Sequence, residues 1–162
     1  MAFFRYLIFV FLFFLFTVSG CAVNPIKYEP PHEGATSKIY FINNSTDTIS
    51  LTFFEESRNC KRRRFTDPIP PKGDTSHIVR ADEEFTFTYH LLTEDAKKYC
   101  RVNLRFTPIS GKEYLFETLM SDQISCKWQM HEIENNRPAK DIIFEEIADK
   151  LALDENGSFC NR

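Results

Sequence analysis

Beyond residue 37 apolar and polar side chains alternate along much of the chain, and this period of two predicts strands. Phe85, Phe87, Tyr89 and Leu91 share one side of their segment, while Thr86, Thr88 and His90 take the other, because successive side chains of an extended chain point to opposite faces. The threonine face is expected to be wet. Lys38-Ile39-Tyr40-Phe41-Ile42 is a short β-rich run stopped by Asn43-Asn44-Ser45-Thr46-Asp47, and Ile49 to Phe53 alternates again. Turn residues between two such runs predict a first hairpin. Cys100, Val102, Leu104 and Phe106 face one way, with Arg101, Asn103 and Arg105 outward. Pro108-Ile109-Ser110-Gly111 then turns the chain into a returning strand over 113–120, where Tyr114 and Phe116 share a face. A third strand groups Cys126, Trp128 and Met130, leaving Lys127, Gln129 and His131 outward.

Two stretches change period. Thr93, followed by Glu94 and Asp95 and then Lys97 and Lys98, has the cap and charge order of a short helix near 93–98. Ile143, Ile147 and Leu151 recur every four residues with Phe144 and Ala148 beside them, predicting a C-terminal helix near 141–152. Between Glu56 and Thr75 lie the basic run Lys61-Arg62-Arg63-Arg64 and Pro68, Pro70, Pro71 and Gly73, the composition of a long loop. The fold class expected is mainly β: one antiparallel β-sandwich-like domain over 38–162 carrying these two helices.

The first 20 residues differ in kind. After Arg5 no residue from Tyr6 to Val18 is charged, Phe and Leu dominate, and the run closes on Val18-Ser19-Gly20-Cys21. An apolar core this short suits a cleaved export signal rather than a bilayer span, which needs about 20 residues. Val-Ser-Gly-Cys resembles the bacterial lipobox. The resemblance implies that residues 1–20 are a lipoprotein signal peptide, that Cys21 is acylated and begins the mature chain, and that the protein sits in the cell envelope. Ala22, in place of Asp at the next position, implies the outer membrane, facing the periplasm. Residues 21–37, with Pro25, Pro30, Pro31 and Gly34, read as a proline-rich tether.

Without the signal the chain keeps 19 Lys and Arg against 23 Asp and Glu, a net charge of −4. That mildly acidic balance argues against a nucleic-acid partner. With Cys21 assigned to lipid, Cys60, Cys100, Cys126 and Cys160 remain, and an even number in an oxidising compartment predicts two disulfides. Three connectivities are possible. Cys100 with Cys126 and Cys60 with Cys160 is preferred, because Cys100 and Cys126 both fall on core-facing positions. In one flat meander they would sit too far apart, so this bridge requires the third strand to cross to a second sheet or to bend.

Little points to catalysis. The cysteines lack close C-x-x-C spacing, His32, His77, His90 and His131 are scattered, and no G-x-S-x-G or phosphate-cradling glycine loop occurs. His90 and His131 could meet on one open face. Glu55-Glu56, Glu83-Glu84 and Glu145-Glu146 are adjacent pairs, and neighbours along a strand diverge. The expectation is a non-enzymatic module, without metal or cofactor, that binds another envelope component. Its candidate surface is Lys61, Arg62, Arg63 and Arg64 together with Arg101 and Arg105. A carrier of lipid or another apolar ligand among Phe85, Phe87, Tyr89, Phe106, Phe116 and Trp128 is the alternative, and an envelope hydrolase the second. In build the chain is similar to small β-sandwich lipoproteins that tether secretion machinery and to lipoprotein lysozyme inhibitors, though no motif of either can be placed on its residues.

Overall fold

A computed structural model of the chain describes residues 25–92, 99–120, 126–148, 150 and 157–160. Ten strands occur among them: β1 Thr36–Ile42, β2 Ile49–Glu56, β3 Lys61–Phe65, β4 Asp74–Arg80, β5 Phe85–Leu92, β6 Tyr99–Phe106, β7 Glu113–Met120, β8 Cys126–Glu134, β9 Arg137–Asp141 and β10 Glu145–Ile147. They form two five-stranded sheets, ordered β4-β1-β7-β8-β9 and β10-β6-β5-β2-β3. All pairings are antiparallel except β1 with β7. The mainly β, sandwich-like architecture therefore stands.

The two inner faces meet in one core. Ile39, Phe41, Tyr114, Phe116 and Met130 from the first sheet face Leu51, Phe53, Phe87, Tyr89 and Leu104 from the second, and all of them are buried. Rings interlock across the gap: Phe41 lies 5.9 Å from Phe53 and 5.4 Å from Phe87, and Phe87 lies 5.3 Å from Phe116. The alternation over 85–91 was thus a core signal, with Phe85, Phe87, Tyr89 and Leu91 inward.

Both expected hairpins are crossovers instead. The turn after β1 forms where expected, but β1 pairs with β4 and β7 while β2 pairs with β3 and β5. Fully buried Asn43 steers this crossing. Its amide donates to the carbonyls of Asp47, Ile69 and Pro70 at 2.8, 3.2 and 2.9 Å, and its oxygen accepts from the Ser45 amide and hydroxyl. Likewise, 107–112 leads from β6 in one sheet to β7 in the other. Gly111, at φ 72°, donates its N–H to Thr36, and the Tyr114 hydroxyl accepts the Ile109 N–H. Because β6 and β8 lie in facing sheets, the crossing that a Cys100 to Cys126 bridge requires is present.

The helix expected near 141–152 does not form over its described residues. Ile142 and Phe144 pack on the core and Ile143 is 94% exposed, an in-out-in order that belongs to an extended chain. The Ile142 N–H donates to the Met130 carbonyl, and β10 then adds to the edge of β6. Residues 137–147 thereby pass from the edge of one sheet to the edge of the other. The helix expected near 93–98 lies outside the described residues. The supposed loop over 56–75 contains a 3-10 turn, Ser57–Asn59, and strand β3.

Candidate functional site

The part of the molecule that concentrates polar chemistry is the outer face of the second sheet, and it is covered rather than wet. Thr86, Thr88 and Asn103 are buried. The Thr88 hydroxyl donates to the Asn103 side-chain oxygen at 2.6 Å, and the Thr86 hydroxyl donates to the Ser57 carbonyl at 3.0 Å. Arg105 extends the network, donating to Thr86 Oγ1 and to the carbonyls of Ser57 and Arg58 at 3.0–3.1 Å. These threonines were expected to face water. The cover is supplied partly by a second apolar cluster of Phe54, Cys60, Ile147, Phe159 and Cys160.

Cys60 and Cys160 form a disulfide, with Cα atoms 5.5 Å apart, in the pairing preferred from the sequence. The Phe159 N–H donates to the Cys60 carbonyl at 3.1 Å and the Ser158 hydroxyl to the Asn59 carbonyl at 2.7 Å. Residues 157–160 are thereby stapled to the body of the domain. Cys100 is also disulfide-bonded. The side chain of Cys126 lies outside the described residues, so the second bridge stays an expectation.

The basic run is an edge strand, and its arginines are engaged within the fold. Opposite charges across β2 and β3 draw this segment into the sheet. Arg64 Nε lies 2.6 Å from Glu55, and Arg62 Nε lies 3.2 Å from Glu56. The Arg63 guanidinium sits 3.9 Å from the centroid of Phe159, a cation–π contact on the segment carrying Cys160. Lys61 is half-buried, and its register partner is Glu56. Arg105 is only 15% exposed at its side chain, whereas Arg101 is exposed opposite His90. The expected surface therefore divides. Lys61 to Arg64 line one edge of the second sheet, and Arg101 and Arg105 lie on β6 toward its other edge.

The N-terminal stretch read as a tether is seated on the body at Ile26, Lys27 and Tyr28. The Phe65 N–H donates to the Ile26 carbonyl at 3.0 Å, and the Tyr28 N–H donates to the Phe65 carbonyl at 2.9 Å. Lys27 pairs with Asp67 at 2.7 Å. Tyr28 inserts its ring against Phe53 at 4.7 Å and donates its hydroxyl to the Ile78 carbonyl at 2.7 Å. Burial pushes its phenol up to about 12, against a smaller opposing effect of Arg80. Tyr28, Glu29 and Pro31 then border a groove of about 390 Å³ shared with Glu55, Arg62 and Glu84.

His77 is held beside Tyr28, Phe41 and Phe53, with ring centroids 5.1–6.0 Å away. Its Nε2 is buried without a hydrogen-bond partner. Burial lowers its pKa below the ordinary 6.5, and the Asp67 carboxylate opposes this more weakly. A group whose folded pKa is depressed stabilises the fold above its unfolded value and loses that contribution as protons bind. Stability is therefore expected to fall from about pH 6.5 downward, and His77→Phe to flatten that slope. Urea unfolding of both proteins at a series of pH values checks this, and equal slopes would refute it.

His90 and His131 do not meet. They lie on strands of different sheets, and His131 Nδ1 is bonded instead to Asp141 at 2.7 Å. Among the described residues, no group of three His, Cys, Asp or Glu side chains could hold a metal ion. The aromatic residues considered as a ligand pocket pack on one another: Phe85 lies 5.8 Å from Phe87, Phe106 lies 6.2 Å from Phe85, and Trp128 packs against the same core. Sequence reasoning missed Tyr28 and Asn43, whose roles depend on partners 37 and 26 residues away. The stretch 134–138 reads as a loop in the sequence, and Asn135-Asn136 do turn the chain there with positive φ, but the reading missed that they join β8 to a paired β9. No family model matches the chain, and no curated protein does.

Proposed function

We propose that the protein is a lipid-anchored module of the bacterial envelope, held at the membrane through an acylated Cys21, that binds another envelope component without catalysing a reaction. The observation that carries this reading is the docking of Ile26, Lys27 and Tyr28 onto Phe65, Asp67 and the core. A chain that must present a fixed face from an anchor gains from an N-terminal stretch that is part of its body.

Mass spectrometry of the membrane-extracted protein under non-reducing conditions tests the anchor. The expected mature peptide begins at Cys21 and carries acyl chains, and Cys21→Ala should leave the protein unprocessed and without acyl chains. A mature N-terminus elsewhere, or a free Cys21 thiol, would overturn the reading. The binding role is tested by crosslinking in intact cells, where the acylated protein should be recovered joined to one recurrent envelope protein. A carrier would differ, since Trp128 fluorescence would then respond to added lipid.

A further inference from the structure

Arg105 is fixed before any carboxylate reaches it. Its Nε and Nη2 are already spent on Thr86, Ser57 and Arg58, which leaves Nη1 toward the sheet edge. There β10 lies in antiparallel register, Glu145 opposite Arg105 and Ile147 opposite Asn103. The Glu145 carboxylate is 3.5 Å from Arg105 Nη1 while remaining 67% exposed. Two residues on, Ile147 is 8% exposed among Phe54, Cys60, Phe159 and Cys160. The strand is three residues long and both of its glutamates are exposed. So short an edge strand, with few buried contacts of its own, belongs to the low-stability end of a fold. Its position is maintained by chain closure on either side. Ile142 and Phe144 are packed before it, and after it come the Lys150 N–H bond to the Phe159 carbonyl and the Cys60–Cys160 disulfide.

We propose that the outer edge of β6 is a docking site for an extended peptide of a partner protein, one bearing a carboxylate and, two residues later, a branched apolar side chain. β10 is an internal copy of that ligand and occupies the site in the folded chain. Edge pairing would supply main-chain hydrogen bonds, and alternate side chains would supply selectivity. Arg105 reads the carboxylate, and the Phe54–Phe159 cluster accepts the apolar group. The inference deepens the binding-module reading by naming the partner's chemistry, and it does not depend on the anchor.

The test is fluorescence anisotropy with a labelled synthetic peptide of the sequence Asp141 to Ala148, added to the full-length chain in detergent. A protein whose site is filled internally binds more weakly in proportion to the open fraction. Ile147→Asp, which empties the edge while the Cys60–Cys160 bridge keeps Phe159 and Cys160 in the cluster, is therefore expected to bind at least about tenfold more tightly than the parent protein. Arg105→Ala in that background, or Asp at the Ile147 position of the peptide, should each weaken binding by about fivefold or more. An Ile147→Asp protein with protected β2 and β5 amides that ignores the peptide overturns the proposal, as does equal binding of the two peptides. If Ile147→Asp does not fold, Ile147→Ala loosens the same strand and carries the same two outcomes. A peptide-free dimer of the Ile147→Asp protein makes the occupant a second copy of this chain and overturns the partner form. Cys21 acylation is read separately, so either result can fail without the other.

Discussion

Phe41→Ala is expected to destabilise the protein by about 3–5 kcal/mol, the range for removing a fully buried ring. Phe41 is 1% exposed, and its ring has neighbours in both sheets: Phe53 and Phe87 across the gap, His77 and Phe116 beside it. The lost ring leaves a cavity lined by stiff aromatic groups that cannot collapse inward. Domains of this size are stable by only about 5–15 kcal/mol, so the variant loses a large share of its margin. Urea unfolding should show a lower midpoint with an unchanged slope. Phe41→Leu, which keeps most of the volume, should lose less than half as much, and a loss below about 1 kcal/mol for the alanine variant would mean that the sheets do not meet through this ring.

Removing the Cys60–Cys160 bridge is expected to cost about 2–5 kcal/mol and to lower the Tm by about 6–15 °C. The bridge spans 100 residues of chain, so the unfolded state that it restricts is large. In the folded state it holds Phe159 under Arg63 and closes the cluster on Phe54 and Ile147. Serine at both positions is the appropriate change, because a reductant would also open the bridge made by Cys100. Calorimetry of the double variant checks the magnitude. A Tm within about 2 °C of the parent would show that hydrogen bonds and ring contacts alone hold the C-terminal segment.

The strands over 85–91, 100–106, 113–120 and 126–131 were legible because each buries one face, and period two records that directly. Which strands pair was not legible. β1 lies between β4 and β7, so its partners come from distant parts of the sequence and no turn chemistry specifies them. The polar row Thr86, Thr88, Asn103 and Arg105 looked solvated because alternation reports two faces but not what later covers one of them. That cover arrives from beyond residue 140, where two periods compete. Ile143, Ile147 and Leu151 suggest a helix, while Ile142 and Phe144 inside with Ile143 outside describe an extended chain. Tertiary contacts decided between them: a free edge on β6, an arginine fixed beside it and an apolar cluster open to Ile147. The basic run misled for a related reason. Lys61 to Arg64 signal a loop when read alone, yet Glu55 and Glu56 on the neighbouring strand make them compatible partners at a sheet edge.

The seated N-terminal stretch sets how far the proposed anchor lets the domain travel. Were residues 21–37 a free cord, it would extend about 55 Å, whereas from Cys21 to the seated Ile26 it extends at most about 18 Å. With Cys21 acylated, the domain is on a leash shorter than its own strands are wide when paired into a sheet. So anchored, it would stay close to the bilayer surface. The proposed partner would then be met there, by a body whose tilt is limited by where the chain leaves Phe65.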